Sequence, residues 1–139
     1  MTENDMVTLW GNYLKKNLPK ESEAYELKFT KGKALGFSEL RRHQVEALQA
    51  VEKEGLYYRI ADQPWGYNPK FRFTLKKPFD CLCLVKIKGY VVVWFYQPRK
   101  EKQFVKMEIK DFLKMKGVSK RKSFTEKMAL EAGGTLVKI

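Results

Sequence analysis

The chain has 139 residues, 28 of them Lys or Arg and 16 Asp or Glu, for a formal charge of +12 with its single His neutral. That length suits one domain that buries its own core, and a content of 44% hydrophobic and 14% aromatic residues excludes a disordered chain. The longest apolar run, residues 90–96, is far short of the ~20 residues a membrane helix needs, and the start, Met1-Thr2-Glu3-Asn4-Asp5, is unlike a signal peptide.

Met6, Leu9, Trp10, Tyr13 and Leu14 recur at helical spacing, predicting an amphipathic first helix that stops before Pro19. Residues 24–30 alternate, with Tyr25, Leu27 and Phe29 on one face and Glu26, Lys28 and Thr30 on the other, as a strand does. Ser38 sits as the N-cap of a second helix running to about residue 52 and stopping at Glu54-Gly55. A short buried strand over 56–61 follows. Residues 62–78, with Pro64, Gly66, Asn68, Pro69 and Pro78, read as a loop with a short extended piece at 71–74. The apolar runs 79–87 and 90–96, separated by Lys88-Gly89, predict a β-hairpin. A strand over 104–109 comes next, then a short segment capped by Asp111. Ser123 and Glu126 form a capping-box pattern for a last helix ending at Gly133-Gly134, with a final strand over 135–139. The order predicts one α+β (mixed α/β) domain over 1–139. Residues 117–139 are either a basic C-terminal extension packing on it or its last helix and strand.

Cys81 and Cys83 are two apart in an apolar run, so on a strand they share a face. They are expected as small buried hydrophobes in a reducing compartment, which places the chain in the cytoplasm. With one distant His as the only other soft ligand, a zinc site there is disfavoured.

Three patterns could carry chemistry. Glu26 and Lys28 project from one face of a strand with the Leu27 carbonyl between them. A carboxylate and a carbonyl are oxygen ligands for Mg²⁺, and an ammonium can orient a water near the metal. The plain alternative is an exposed ion pair. Asp80, at the mouth of an apolar strand, is either a turn residue or a second carboxylate for the same metal. His43 and Gln44 lie on or beside the apolar stripe of the second helix, where Gln44 could bond a catalytic residue or phosphate and His43 could contact DNA; both are otherwise satisfied core residues.

The positive charge is clustered. Residues 98–122 hold ten bases against three acids, including Lys120, Arg121 and Lys122. Lys31, Lys33, Arg41 and Arg42 form a second group around the Glu26 strand. Such groups bind phosphates without reading sequence, and nucleic acid is the commonest acidic partner.

Ala24-Tyr25-Glu26-Leu27-Lys28, Gly36-Phe37-Ser38, His43-Gln44-x-x-Ala47-Leu48, Gly55-Leu56-Tyr57-Tyr58-Arg59-Ile60-x-Asp62 and Lys77-Pro78-Phe79-Asp80 occur in that order. Together they resemble Holliday-junction-resolvase-like proteins of the PD-(D/E)XK nuclease superfamily, over about residues 6–115. Glu26-Leu27-Lys28 looks like the family's (D/E)-x-K motif and His43-Gln44 like its Gln-bearing helix. The usual metal-binding Asp precedes that motif; here Asp80 follows it. The resemblance implies a restriction-endonuclease-like core, a central mixed β-sheet flanked by helices. It implies a Mg²⁺-dependent, structure-selective endonuclease acting on branched DNA, a Holliday junction resolvase, with Mn²⁺ able to substitute. Glu26, Asp80 and the Leu27 carbonyl would hold metal, Lys28 would orient water and Gln44 would position the site. Lys31, Lys33, Arg41, Arg42, His43, Lys120, Arg121 and Lys122 would meet DNA. A homodimer with no membrane partner is expected, because cutting two symmetric strands takes two sites. The alternatives are a non-catalytic DNA-binding module of the same fold and a nuclease for other DNA.

Overall fold

The computed structural model describes residues 1–59 and 79–139. Helix α1 spans Glu3–Lys16 and begins in a capping box. The Thr2 hydroxyl accepts from the Asp5 N–H at 3.3 Å, and the Asp5 carboxylate accepts from the Thr2 N–H at 2.6 Å. Strand β1 is Glu23–Thr30, and β2 is Ala34–Gly36. A 3-10 turn over Phe37–Glu39 leads into α2, Arg42–Glu54. Then come β3 (Leu56–Arg59), β4 (Cys81–Leu84), β5 (Lys88–Phe95) and β6 (Gln103–Glu108). The chain closes with α3 (Ile109–Val118), β7 (Ser123–Thr125), α4 (Glu126–Glu131) and β8 (Thr135–Lys138).

The main sheet is mixed, in the order β1-β5-β6-β8. β1 runs parallel to β5 from Glu23↔Lys88 to Thr30↔Phe95, and the other two pairings are antiparallel. Each face carries its own apolar cluster. Toward α1, Met6 and Trp10 pack on Val92, Trp94 and Phe104, with Tyr25, Leu27 and Phe29 of β1 beside them. On the other face, Leu48 of α2, Phe112 and Met115 of α3, and Phe124 and Ala129 cover Val91, Val93, Phe95, Val105 and Met107. Burying a side chain such as Phe104 or Phe112 stabilises by about 2 kcal/mol. Sheet and helices thus form the expected α+β layers, a central mixed sheet flanked by helices. Within residues 117–139, Phe124 is fully buried and β8 pairs with β6.

Several elements differ from their sequence expectations. The hairpin expected between 79–87 and 90–96 does not form. β4 pairs antiparallel with β3 in a separate two-stranded sheet, Leu56↔Leu84 to Arg59↔Cys81. After Leu84 the backbone turns at Lys86, whose φ is +56°, and Ile87 is buried. Lys88 then starts β5 directly beside β1 instead of closing a turn. Gly55 is essential to this path: its φ is +77°, and a Cβ there would lie 2.5 Å from the Leu84 carbonyl oxygen.

Helix α2 starts three residues later than Ser38 predicts, because Ser38 lies in the 3-10 turn. Thr125, not Ser123, caps the last helix and accepts from the Met128 N–H at 3.2 Å. Ser123 instead pairs with Gly36 in the β2–β7 ribbon. Cys81 and Cys83 are exposed, contrary to expectation, because the β3–β4 hairpin lies off the main sheet and neither core cluster reaches it. The end of the strand expected at 56–61, the extended piece at 71–74, Asp62 and Lys77-Pro78 lie outside the described residues.

Candidate active site

β1 is an edge strand of the main sheet among the described residues. Its pleat sends Tyr25, Leu27 and Phe29 toward α1, so Glu26 and Lys28 face α2. Their register partners are Val91 and Val93, which belong to the core cluster under α2. A carboxylate and an ammonium therefore sit at the rim of an apolar core. The Lys28 side chain is 13% exposed and that of Glu26 28%. Lys28 Nζ lies 3.4 Å from Glu26 Oε1.

Gln44 completes the group, and its orientation is determined by two hydrogen bonds. Its Oε1 accepts from the Arg41 N–H at 3.0 Å, which satisfies one of the donors left open at the start of α2. Only the amide nitrogen then remains to face β1, and Gln44 Nε2 donates to Glu26 Oε1 at 2.8 Å. The helix start and the strand carboxylate are thereby linked through one side chain. Both contacts to Glu26 fall on Oε1, so among the described residues Oε2 carries no hydrogen bond. Leu27 packs toward the α1 cluster, which leaves only its carbonyl to serve a site.

The structure brings Glu26, Lys28 and Gln44 together. Asp80 is exposed, one residue before β4 of the β3–β4 hairpin. His43 is exposed rather than on the buried stripe of α2, which is carried by Leu48 with Val45 beside it.

The donor set fits a hard divalent cation. Mg²⁺ is commonly held by one or two carboxylates and fills its shell with water and substrate phosphate. Glu26 offers one free oxygen of this kind. No group of three or more His, Cys, Asp or Glu gathers among the described residues.

Bases surround this corner. Lys31 and Lys33 are exposed in the turn after β1, and Arg41, Arg42 and His43 are exposed at the start of α2. Arg42 pairs with Glu46 at 2.8 Å. Lys31, Lys33 and Arg41 have no ion pair among the described residues. Lys120, Arg121 and Lys122 are exposed before β7. The β2–β7 ribbon brings them to the approach of α2, where the Phe37 N–H donates to the Lys122 carbonyl at 3.0 Å. Two basic segments far apart in sequence thus share one side of the fold.

A second polar group was not singled out by the sequence. Lys106 of β6 bonds Glu23 of β1, and the Tyr25 hydroxyl donates to Glu23 Oε1 at 2.9 Å. Lys106 Nζ also lies 4.2 Å from the centre of the Tyr90 ring. Burial, then the hydrogen bond to Glu23, push the Tyr25 hydroxyl well above the ordinary tyrosine range. Tyr90 is raised by burial and then by the Glu23 charge. Tyr25, falling on the alternation of β1, was the one available signal.

Against protein-family models, curated proteins and solved structures, the chain finds no match. Among the described residues, no helix is long and apolar enough to cross a membrane.

Proposed function

We propose that this protein is a Mg²⁺-dependent, structure-selective DNA endonuclease with a PD-(D/E)XK-type core, acting on branched DNA as a Holliday junction resolvase does. The convergence of Gln44 Nε2 and Lys28 Nζ on one oxygen of Glu26 carries the reading. It places a carboxylate beside an ammonium at a sheet edge near Lys31, Lys33 and Arg41, which have no ion pair among the described residues. A bound Mg²⁺ would polarise the phosphodiester and lower the pKa of its water.

The chain's own residues have separable tasks. Gln44 holds the Glu26 carboxylate in one orientation, with Oε2 directed away from its present partners. Lys28, held at the core rim with its stem covered, keeps a positive charge where an attacking water would lose its proton. Lys31, Lys33 and Arg41 attract the backbone and neutralise its phosphates. Asp80 would supply a second carboxylate to the bound metal. Two copies acting as a dimer would place two such sites on symmetric strands.

The Glu26–Lys28 ion pair also favours a second reading. A carboxylate already neutralised by its own lysine suits a DNA-binding module without catalysis. A four-way junction, a fork, a duplex and a single strand, each incubated with the protein with and without Mg²⁺, distinguish the readings. Endonuclease function predicts metal-dependent nicks, most on the junction. Nicking mainly of duplex would shift the substrate class, and salt-sensitive binding with no nicks under any metal would establish the binding module.

A further inference from the structure

We propose that a second site, formed by Phe37, Ser38, Lys116, Arg121 and Lys122, binds a backbone phosphate of nucleic acid away from the cleavage point. This rests on the nuclease reading for its biological setting but on separate residues for its chemistry. The five residues line a depression of about 330 Å³. That volume is within the range of pockets that hold small ligands. Three of the five are cations, one is a hydroxyl, and none is a carboxylate.

Three parts of the chain assemble it. The Gly36↔Ser123 pairing lays the 3-10 turn against the segment before β7. The hydrogen bond from the Phe37 N–H to the Lys122 carbonyl fastens the two. Ser119 Oγ accepts from the Arg121 N–H at 3.1 Å, shaping the bend that follows α3, and the last turn of α3 adds Lys116. Phe37 is 4% exposed and packs 5.1 Å from Phe124 and 5.9 Å from Phe112, ring to ring. The wall beneath the cations is therefore fixed by the core.

The electrostatics are unbalanced. Some surface lysines near the sheet have acid partners: Lys88 and Lys110 share Glu108, and Lys138 meets Glu101. Lys116, Arg121 and Lys122 have none among the described residues. Gathering three like charges costs folding free energy unless an anion relieves it. A phosphodiester supplies that anion, since Lys, Arg and Ser side chains are its usual partners. The pocket lies on the stretch leading into α2, whose first turn places Gln44 on Glu26. A phosphate held here would fix the strand's position relative to the cleavage site.

The test uses the full chain without divalent metal and a labelled junction, read by fluorescence anisotropy across a salt series. The combined variant Lys116→Ala, Arg121→Ala, Lys122→Ala is compared with Lys15→Ala, Lys16→Ala, Lys53→Ala, which removes equal charge elsewhere. Loss of one phosphate contact predicts about tenfold weaker binding at ~0.1 M salt and a salt slope lower by about one in the pocket variant alone. The variant Ser38→Ala, which leaves charge unchanged, is predicted to weaken binding in the same direction. Equal weakening in both triple variants would overturn the pocket and leave only net charge. In a parallel arm, inorganic phosphate is titrated against the Ser38 and Arg121 amide resonances. Saturation by inorganic phosphate, with junction binding unaffected by the pocket variant, would assign a small phosphate instead and overturn the nucleic-acid proposal. The two readings fail separately. Pocket-dependent binding without any cleavage would sink the nuclease alone. Glu26-dependent cleavage with wild-type affinity in the pocket variant would sink the pocket alone.

Discussion

Strand β1 contributes the acids of two acid–lysine pairs, Glu23 and Glu26, three residues apart and on opposite faces, and the pairs are built differently. Glu23 and Lys106 face α1, with side chains 9% and 22% exposed. Both oxygens of Glu23 are engaged by Lys106, and the Tyr25 hydroxyl adds a third bond. Glu26 and Lys28 face α2, and both partners of Glu26 approach a single oxygen. The first pair is saturated and joins two strands 83 residues apart in sequence. The second joins near neighbours, is more open on its carboxylate side, and retains an oxygen for something else. A closed pair serves the fold; an open one is free to serve a ligand.

Breaking the closed pair should have the largest effect on stability. Lys106→Met leaves Glu23 charged and largely buried, and should cost about 3 kcal/mol, at the low end for such pairs. Urea denaturation measures it, and a loss below that of Glu26→Gln would erase the contrast between the faces.

Gln44→Ala should have an intermediate effect. It removes the side-chain bond to the Arg41 N–H and should lower stability by about 1 kcal/mol, as loss of a helix-start contact does. It also frees the Glu26 carboxylate, so cleavage should fall by about 10- to 100-fold, the range for partners that orient a metal ligand. Unchanged cleavage alongside the stability loss would make Gln44 a helix cap and nothing more.

The smallest effects should be those of pH on the saturated face. Tyr25 and Tyr90 are raised above the ordinary 10.0, chiefly by burial, so their contribution is complete below pH 10.0 and is lost as pH rises through the folded values. Burial would raise Glu108, but hydrogen bonds from Lys110 and Lys88 outweigh it and hold it below the ordinary 4.5. Its contribution is present above pH 4.5 and fades as pH falls through the folded value. Thermal melts should therefore show a plateau between these limits, and Tyr25→Phe should weaken the alkaline decline. A decline of equal slope in that variant would place its cause elsewhere.

Much of this contrast was legible in the sequence. The alternation over 24–30 put Glu26 and Lys28 on one face and Tyr25, Leu27 and Phe29 on the other, because a strand's period is two whatever it packs against. The bases at 31–42 and 120–122 were visible as clusters, but only the β2–β7 pairing puts them on one side. Lys88-Gly89 has the chemistry of a tight turn, yet the parallel pairing of β5 with β1 claims those residues, and long-range pairing is invisible to a local pattern. The exposed thiols were misplaced for a related reason: Cys-Leu-Cys-Leu reads as buried strand, and only topology reveals a hairpin off the main sheet. The Glu23–Lys106 pair was hidden by its sequence separation. The double role of Gln44 required both the true start of α2 and the position of β1.

The most direct test of the central claim is the variant Glu26→Gln, assayed for junction nicking in Mg²⁺ and for its urea midpoint in the same preparation. The open-pair account predicts cleavage lower by at least about 100-fold, the scale of losing a group that acts in the reaction, with stability changed by less than about 1 kcal/mol. Wild-type nicking, or a stability loss as large as that of Lys106→Met, would contradict it.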